Sequence, residues 1–332
     1  MKISIKKALE LDAIIVDTRS PAEFEHDHIP GAVNIPIFEN NERHEIGKLY
    51  KADHQKAFDL GLEYYSKKLP NLCNDIRKLP KKPVVVYCWR GGMRSKAITQ
   101  MVDLMGYEAY QLEGGYKAYR AYVREKLYNY KPNFRFIVLW GNTGTAKTRI
   151  LQNLQPAIDL EGLAQHRSSL FGAVGLKPRS QKCFESLLFS ELEKNRNEKY
   201  VFVEGESQKI GDALIPNKLY ESIKKGIHVR VNASMESRVR VTVDEYFKVD
   251  WKEDIKAVIK KLRQKLGGEK TDKLLQEMDN NEFSSVAETL LKDYYDPLYE
   301  HTVDNIEYSY AVDSDDEEEC VKKLTEIRKS LA

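Results

Sequence analysis

Two short stretches of this chain combine residue types and spacings that can do chemistry. The first is Val84-Val85-Val86-Tyr87-Cys88-Trp89-Arg90-Gly91-Gly92-Met93-Arg94-Ser95. A β-branched run feeds a cysteine, a Gly-Gly turn and an arginine follow, and a helical pattern then runs from Ser95 to Leu104. Strand, loop and helix in that order aim successive backbone N–H groups into one concave nest at a helix N-terminus, and such a nest binds anions. Cys88 sits at its rim, where the helix dipole, the loop amides and the Arg94 guanidinium favour thiolate over thiol. A thiol with pKa ~8.5 is only a few per cent thiolate at neutral pH, so this lowering matters to a nucleophile. The alternative, a buried structural cysteine at a strand end, does not call for the glycine-arginine loop. Trp89, Arg90, Gly91, Gly92, Met93 and Arg94 are therefore candidate anion-loop residues.

The second stretch is Gly141-Asn142-Thr143-Gly144-Thr145-Ala146-Lys147-Thr148. The buried-strand pattern Phe134–Trp140 precedes it and the helical pattern Arg149-Ile150-Leu151 follows, which is the P-loop arrangement. Backbone amides would cradle a di- or triphosphate, Lys147 would reach its outer oxygens, and Thr148 could hold Mg²⁺. Ala146 stands where the motif usually has glycine, and its methyl is expected to restrict how closely a phosphate approaches. Whether a nucleotide binds or is hydrolysed stays open. Val201-Phe202-Val203-Glu204 is a second buried strand ending in an acid, so Glu204 and Glu206 could serve Mg²⁺ or cap a turn. Asp159, His166 and Arg167 lie between these strands. Arg238 and Arg240 fall on a helix, Met235–Phe247, from which they could reach phosphates across a cleft.

These motifs need strands and helices to position them, and the chain of 332 residues is long for one core. The reading is α/β: a parallel-sheet domain over 1–125, a linker over 126–133 marked by Pro132, and a P-loop domain over 134–332 with a helical C-terminal part. Met1–Lys7 reads as a short strand, and 51–69 as a helix with Phe58, Leu62 and Tyr65 packing. Tyr116–Tyr130 reads as a basic, tyrosine-rich helix, and Asp254–Tyr299 as helices broken at Gly267-Gly268. Glu307–Val312 reads as an edge strand and Cys320–Leu331 as a closing helix. No apolar run reaches the length of a membrane span. Cys73, Cys88, Cys183 and Cys320 are scattered without a C-x-x-C pair, which indicates neither a zinc site nor a disulfide framework and fits a reducing cytoplasm. The net charge is +2, but Asp313–Glu319 holds six acids and no base, leaving +8 on the remainder. That surplus is compatible with a nucleic-acid partner.

The pattern D-x-R-x-x-x-E-F over Asp17–Phe24, then H-I-P-G-A-x-N-I-P over His28–Pro36, then a strand ending in Cys88, resembles the rhodanese domain family over residues 1–125. The resemblance implies a parallel sheet flanked by helices and a catalytic cysteine in an anion-binding loop. Asp17, Arg19 and Glu23 could be catalytic, but a buried ion-pair network fixing the first turn is the preferred reading. His26 and His28 are read as structural. From Cys88 to Arg94 the loop spans seven residues. Sulfurtransferases of the family generally have one fewer, and the longer form resembles the phosphatase and arsenate reductase branch. A wider ring suits a bulkier tetrahedral anion, with Gly91 and Gly92 turning at φ > 0.

Together with the P-loop, the motifs C-W-R-G-G-M-R-S, D-L-E-G-L-A-x-H-R-x-S from Asp159 and V-E-x-E-S-x-x-I-G from Val203 make the chain similar to the tRNA 2-selenouridine synthase family, from about Ile14 to Phe247. That resemblance implies a transferase that replaces the sulfur of wobble 2-thiouridine in tRNA by selenium, with selenophosphate as donor and with geranyl diphosphate alkylating the sulfur first. On that basis the diphosphate is assigned to Gly141–Thr148 and selenium transfer to Cys88, with Arg94 and the loop amides on the phosphate end. Leu170, Phe171, Phe184, Leu187 and Leu188 could line an apolar slot for the geranyl chain or equally be core. The tRNA is expected along Arg120, Arg124 and Arg230, although the Tyr116–Tyr130 helix could equally be a linker. Which tRNAs are chosen, the oligomeric state, and whether selenium rests on Cys88 stay open. The rival readings are a phosphatase or arsenate reductase using Cys88 and Arg94, a persulfide carrier fused to a small-molecule kinase, and a non-catalytic regulator binding nucleotide and tRNA.

Overall fold

The computed structural model describes residues 1–331, with only the backbone of Glu300, His301 and Thr302. The chain forms two compact units, one of residues 1–127 with 185–189 and the other of the remainder. The first holds strands β1 (Lys2–Ile3), β2 (Ile14–Asp17), β3 (Val33–Asn34), β4 (Val84–Tyr87) and β5 (Ala109–Leu112) in one parallel sheet of order β1-β5-β4-β2-β3. All four residues of β4 are buried, the mark of a strand covered on both faces. Strands β2 and β4 run in register from Ile14↔Val84 to Asp17↔Tyr87. Their carboxyl ends therefore emerge together, and parallel sheets place sites at such ends.

Two parts of this unit differ from expectation. Met1–Lys7 is strand only over Lys2–Ile3, and Ile5–Glu10 is a helix. The expected single helix over 51–69 is two helices, Asn40–Ala52 and His54–Arg77. The second continues through Pro70 because Leu72 and Ile76 beyond it are buried in the core, and that burial outweighs the backbone hydrogen bond proline removes. Phe58 and Leu62 do not pack: they are exposed.

The second unit is built on β6 (Arg135–Trp140), β7 (Ala157–Ile158), β8 (Tyr200–Glu204), β11 (Ile227–Asn232) and β12 (Tyr310–Asp313), a parallel sheet of order β12-β11-β6-β8-β7. The small hairpin β9 (Lys209–Ile210) and β10 (Ala213–Leu214) stands beside it. β6 lies between β11 and β8, so the loop after β6 opens at the centre of the sheet's carboxyl edge. The C-terminal helices break at Gly267, which adopts φ +85°, and bury Ile255, Ile259, Leu274, Met278 and Leu290 against Tyr246 and Phe247. Helix Glu317–Leu331 closes the unit by burying Cys320 and Leu324 in the cluster that holds Ile150 and Leu151. No helix among the described residues is long and apolar enough to cross a membrane.

Candidate functional site

The loop after β4 begins at Cys88, and its helix starts at Met93, two residues earlier than the periodicity suggests. Cys88 is 3% exposed. Its Sγ lies 3.3 Å from Ser95 Oγ and accepts the Gly92 N–H at 3.3 Å. Burial pushes the thiol up; the Ser95 hydroxyl, the Arg94 charge and the amides of Ser95 and Gly92 outweigh it, and the net pKa is lowered. The loop is braced by Gln111, whose amide nitrogen donates to Gly91 O at 2.9 Å, Gly92 O at 3.0 Å and Ser95 Oγ at 2.9 Å. Ser95 and Gln111 were not among the sequence candidates. Ser95 had a signal, a hydroxyl one residue past the loop arginine; Gln111 had none, because only the β4–β5 register brings it there.

Of the two loop glycines only Gly91 turns at positive φ, +64°; Gly92 is extended at −93°. A Cβ on Gly91 would stand 2.7 Å from Leu112 O, so the backbone of the β5 loop requires glycine there. Trp89 is partly exposed, with its ring 5.3 Å from that of Tyr116, and Arg90 and Met93 face solvent. Arg94 Nη1 donates to Glu23 Oε2 at 3.2 Å, and the Arg94 charge helps hold the Glu23 carboxyl below its usual range against the opposing effect of burial.

Asp17 and Arg19 are a fully buried pair at 2.6 Å, with the guanidinium 3.9 Å from the Tyr116 ring and bonded to Asp27 O at 2.7 Å. They fix the first turn. Glu23 belongs with Arg94 instead, and caps Ser20 N at 3.2 Å. His28 stacks on Phe24 at 3.8 Å. Arg120 is 8% exposed and bonded to Glu185 and Ser186, which corrects its assignment to an RNA-facing surface. Arg124 on the same helix is exposed.

In the second unit Lys147 Nζ donates to Gly141 O at 2.7 Å and Asn142 O at 3.1 Å. Ala146 adopts φ 55°, a left-handed conformation that costs a non-glycine residue about 1–2 kcal/mol. Its side chain is 4% exposed within the core cluster of Ile150 and Leu151. The alanine therefore costs backbone strain, and it also lines the cavity on which the loop opens. Arg238 does not reach across a cleft: it pairs with Asp296 and donates to Thr143 O at 2.9 Å. Asp296 also accepts from Asn142 at 3.1 Å, so a C-terminal helix clamps the loop from below, a contact no motif marked. Arg240 bonds Ser237 at 3.2 Å, and Arg230 pairs with Asp304 at 3.2 Å.

The loop opens on a cavity of about 260 Å³ lined by Lys147, Thr148, Glu161, Arg167, Glu204 and Glu206 among others. Glu204 is pushed up to about 8, first by burial and then by Asp159 and Glu206. Burial and the neighbouring carboxylates raise Glu161 also. Burial raises Glu206, against the pull of Lys147. Thr148 Oγ1 lies 3.4 Å from Glu161 Oε2, and Glu204 Oε1 is buried without a partner. Asp159 caps its helix by accepting the Gly162 N–H at 2.6 Å. His166 Nδ1 is buried and unpartnered, and burial lowers its pKa. Glu161, within the motif Asp159-Leu160-Glu161-Gly162, was not among the sequence candidates. Phe171, Phe184 and Leu188 are 3%, 0% and 0% exposed, packed core and not a slot; Leu187 is half-buried and Leu170 exposed.

The chain is similar to known proteins over two stretches. The tRNA 2-selenouridine synthase AAA domain family matches residues 134–330, and the rhodanese-like domain family matches 4–122. The tRNA 2-selenouridine synthase of Hydrogenovibrio crunogenus is 33% identical over 86% of this chain and 88% of its own. That of Alcanivorax borkumensis is 33% identical over 87% and 89%. A solved N-terminal domain from Clostridium difficile 630 is 45% identical over 37% of this chain and 98% of its own, at TM-score 0.36.

Proposed function

This chain belongs to the tRNA 2-selenouridine synthase family, and from that premise we propose that it exchanges the sulfur of 2-thiouridine in tRNA for selenium in two steps. In the first, the thiocarbonyl sulfur attacks the terminal carbon of geranyl diphosphate, the carbon–oxygen bond breaks, and diphosphate leaves. Lys147 and the Gly141–Thr148 amides neutralise the leaving charge. The buried oxygens of Glu161 and Glu204 with the Thr148 hydroxyl are hard donors that fit Mg²⁺, and the unpartnered Glu204 Oε1 is the observation that favours it. When bound, that ion would supply further neutralisation of the diphosphate.

Alkylation turns a poor leaving group conjugated to the ring into a thioether on an electrophilic carbon. In the second step selenium adds at that carbon and geranylthiolate departs. Selenium in selenophosphate is already at the selenide level, so passing it to a cysteine as a selenosulfide would need an oxidant. Attack of the Cys88 thiolate on phosphorus needs none: the phosphorus–selenium bond breaks, selenide is released, and water hydrolyses the phosphocysteine. The lowered Cys88 pKa beside the Ser95 hydroxyl and loop amides is the single observation that carries this reading. The tRNA backbone is assigned to the exposed face of helix Gly115–Tyr128 around Arg124, where arginine meets phosphate.

Incubation with 2-thiouridine tRNA, geranyl diphosphate and selenophosphate, followed by nucleoside mass spectrometry, tests both steps. S-geranyl-2-thiouridine and then 2-selenouridine are expected. Phosphate released from a simple phosphoester with no new nucleoside would favour the phosphatase reading instead.

A further inference from the structure

The first unit contains a second cavity, of about 480 Å³, that none of the sequence motifs explains. Helices Asn40–Ala52 and His54–Arg77 form its walls, and the start of helix Met93–Leu104 forms one end. Ile37, Phe38, Ile46, Phe58, Leu62 and Tyr65 line it. Phe58 is 46% exposed, Leu62 53% and Met93 64%, so the apolar surface extends outward past the packed core. Contiguous apolar surface of this kind marks a binding site more often than an idle face. Gly47 and Gly61 line the cavity from inside helices, where glycine is intrinsically unfavourable. A Cβ on Gly61 would stand 3.4 Å from the Phe38 ring, in van der Waals contact.

The cavity is continuous with the Cys88 loop because Met93 and Arg94 belong to both. Its edge is basic: Arg43 and Arg94 both approach Glu23, at 3.6 and 3.2 Å, and Lys51 and His54 also line it. The volume lies within the roughly 300–1,000 Å³ of small-ligand pockets. The cavity at the P-loop is lined by four glutamates, a lysine and an arginine.

Resting on the two-step reading above, we propose that the cavity beside the Cys88 loop holds the acyclic prenyl chain of the S-prenylated nucleoside while its ring faces that loop. Alkylation leaves the RNA carrying a long apolar chain. The displacement step must keep that chain out of water and hold the thioether carbon near the selenium source. The apolar walls take the chain, and the Arg43 and Lys51 edge meets the flanking phosphates.

The test is equilibrium binding of the full-length protein to two short RNAs, one with S-geranyl-2-thiouridine and one with S-methyl-2-thiouridine at the same position. The parent protein should prefer the geranylated RNA by at least about tenfold, the order expected for burying several methylene groups. Phe58→Asp and Leu62→Asp, at exposed positions that leave the core intact, should each bring the ratio towards one. Phe58→Ala, which adds no charge, should lower it part of the way. No preference in the parent, or an unchanged ratio in all three variants, overturns the proposal. Displacement of the geranylated RNA by an equal concentration of free geranyl diphosphate would also overturn it, moving the prenyl diphosphate into this domain. Binding requires no turnover, so a protein that shows the preference but makes no 2-selenouridine sinks the selenation reading and keeps this cavity.

Discussion

The chain builds an anion loop twice, each time as strand, glycine-containing loop and helix, and the two loops differ in what surrounds them. The Cys88 loop is braced by neutral groups, Ser95 and Gln111, with one of its two arginines, Arg94, drawn aside to Glu23. Its thiol stays close to those amides and below its ordinary pKa. The Lys147 loop is ringed by carboxylates, and the buried members of that ring are pushed up. One loop favours a negative charge on the protein, and the other gathers carboxyl groups whose charge a proton or a cation must relieve. The same topology thus suits a nucleophile in one case and the departure of a polyanion in the other.

The largest test of that contrast is Lys147→Ala. Geranylation should fall on the order of a hundredfold or more, the usual cost of deleting one such electrostatic contact, while selenation of RNA geranylated beforehand continues. Loss of both rates in parallel would break the contrast. Next is Ser95→Ala. Removing the hydroxyl should raise the Cys88 pKa and slow its alkylation near neutral pH, because the Ser95 hydroxyl is the leading group that lowers it. The readout is the pH profile of thiol alkylation, whose midpoint should move up; an unmoved midpoint would mean the amides alone hold the thiolate.

The carboxylate ring makes a prediction in pH. A carboxyl raised in the folded state holds a proton that the unfolded chain releases, so its contribution is fully present below the ordinary value of 4.5 and is lost as pH rises through about 8. Thermal stability should therefore decline across that window, and Glu204→Gln should decline less. An equal slope in the two proteins would place the strain elsewhere.

The smallest effects compare one left-handed residue from each loop, Gly91 and Ala146. Gly91→Ala should cost more than the roughly 1–2 kcal/mol of a left-handed alanine, because its Cβ also meets backbone. Gly92→Ala, with nothing within 4 Å of the added carbon, should stay within about 0.5 kcal/mol. Ala146→Gly relieves strain but gives up a buried methyl and gains unfolded-state entropy, so the net should be under about 1 kcal/mol. Denaturant titrations distinguish the three.

The sequence made both loops legible because each is local: strand, turn chemistry and helix start lie within a dozen residues. The parallel sheets followed from the apolar runs of β4, β6 and β8, and the Asp17–Arg19 pair from its place at a strand end. What could not be read depends on distant partners. Arg120 looked like a surface cation on a basic helix until Glu185 and Ser186 were brought to it. Arg238 looked free for phosphate until Asp296 claimed it. Phe58 and Leu62 had core spacing, but periodicity cannot distinguish a face that packs from one that lines a hollow. Ala146 is marked by its type alone, and only its burial shows where the methyl goes.

If the two loops carry separate steps, Cys88→Ser must separate them. The variant is incubated with 2-thiouridine tRNA, geranyl diphosphate and selenophosphate, and the nucleosides are weighed. S-geranyl-2-thiouridine is expected to accumulate and 2-selenouridine to be absent. Loss of both products in a variant that melts like the parent would contradict it.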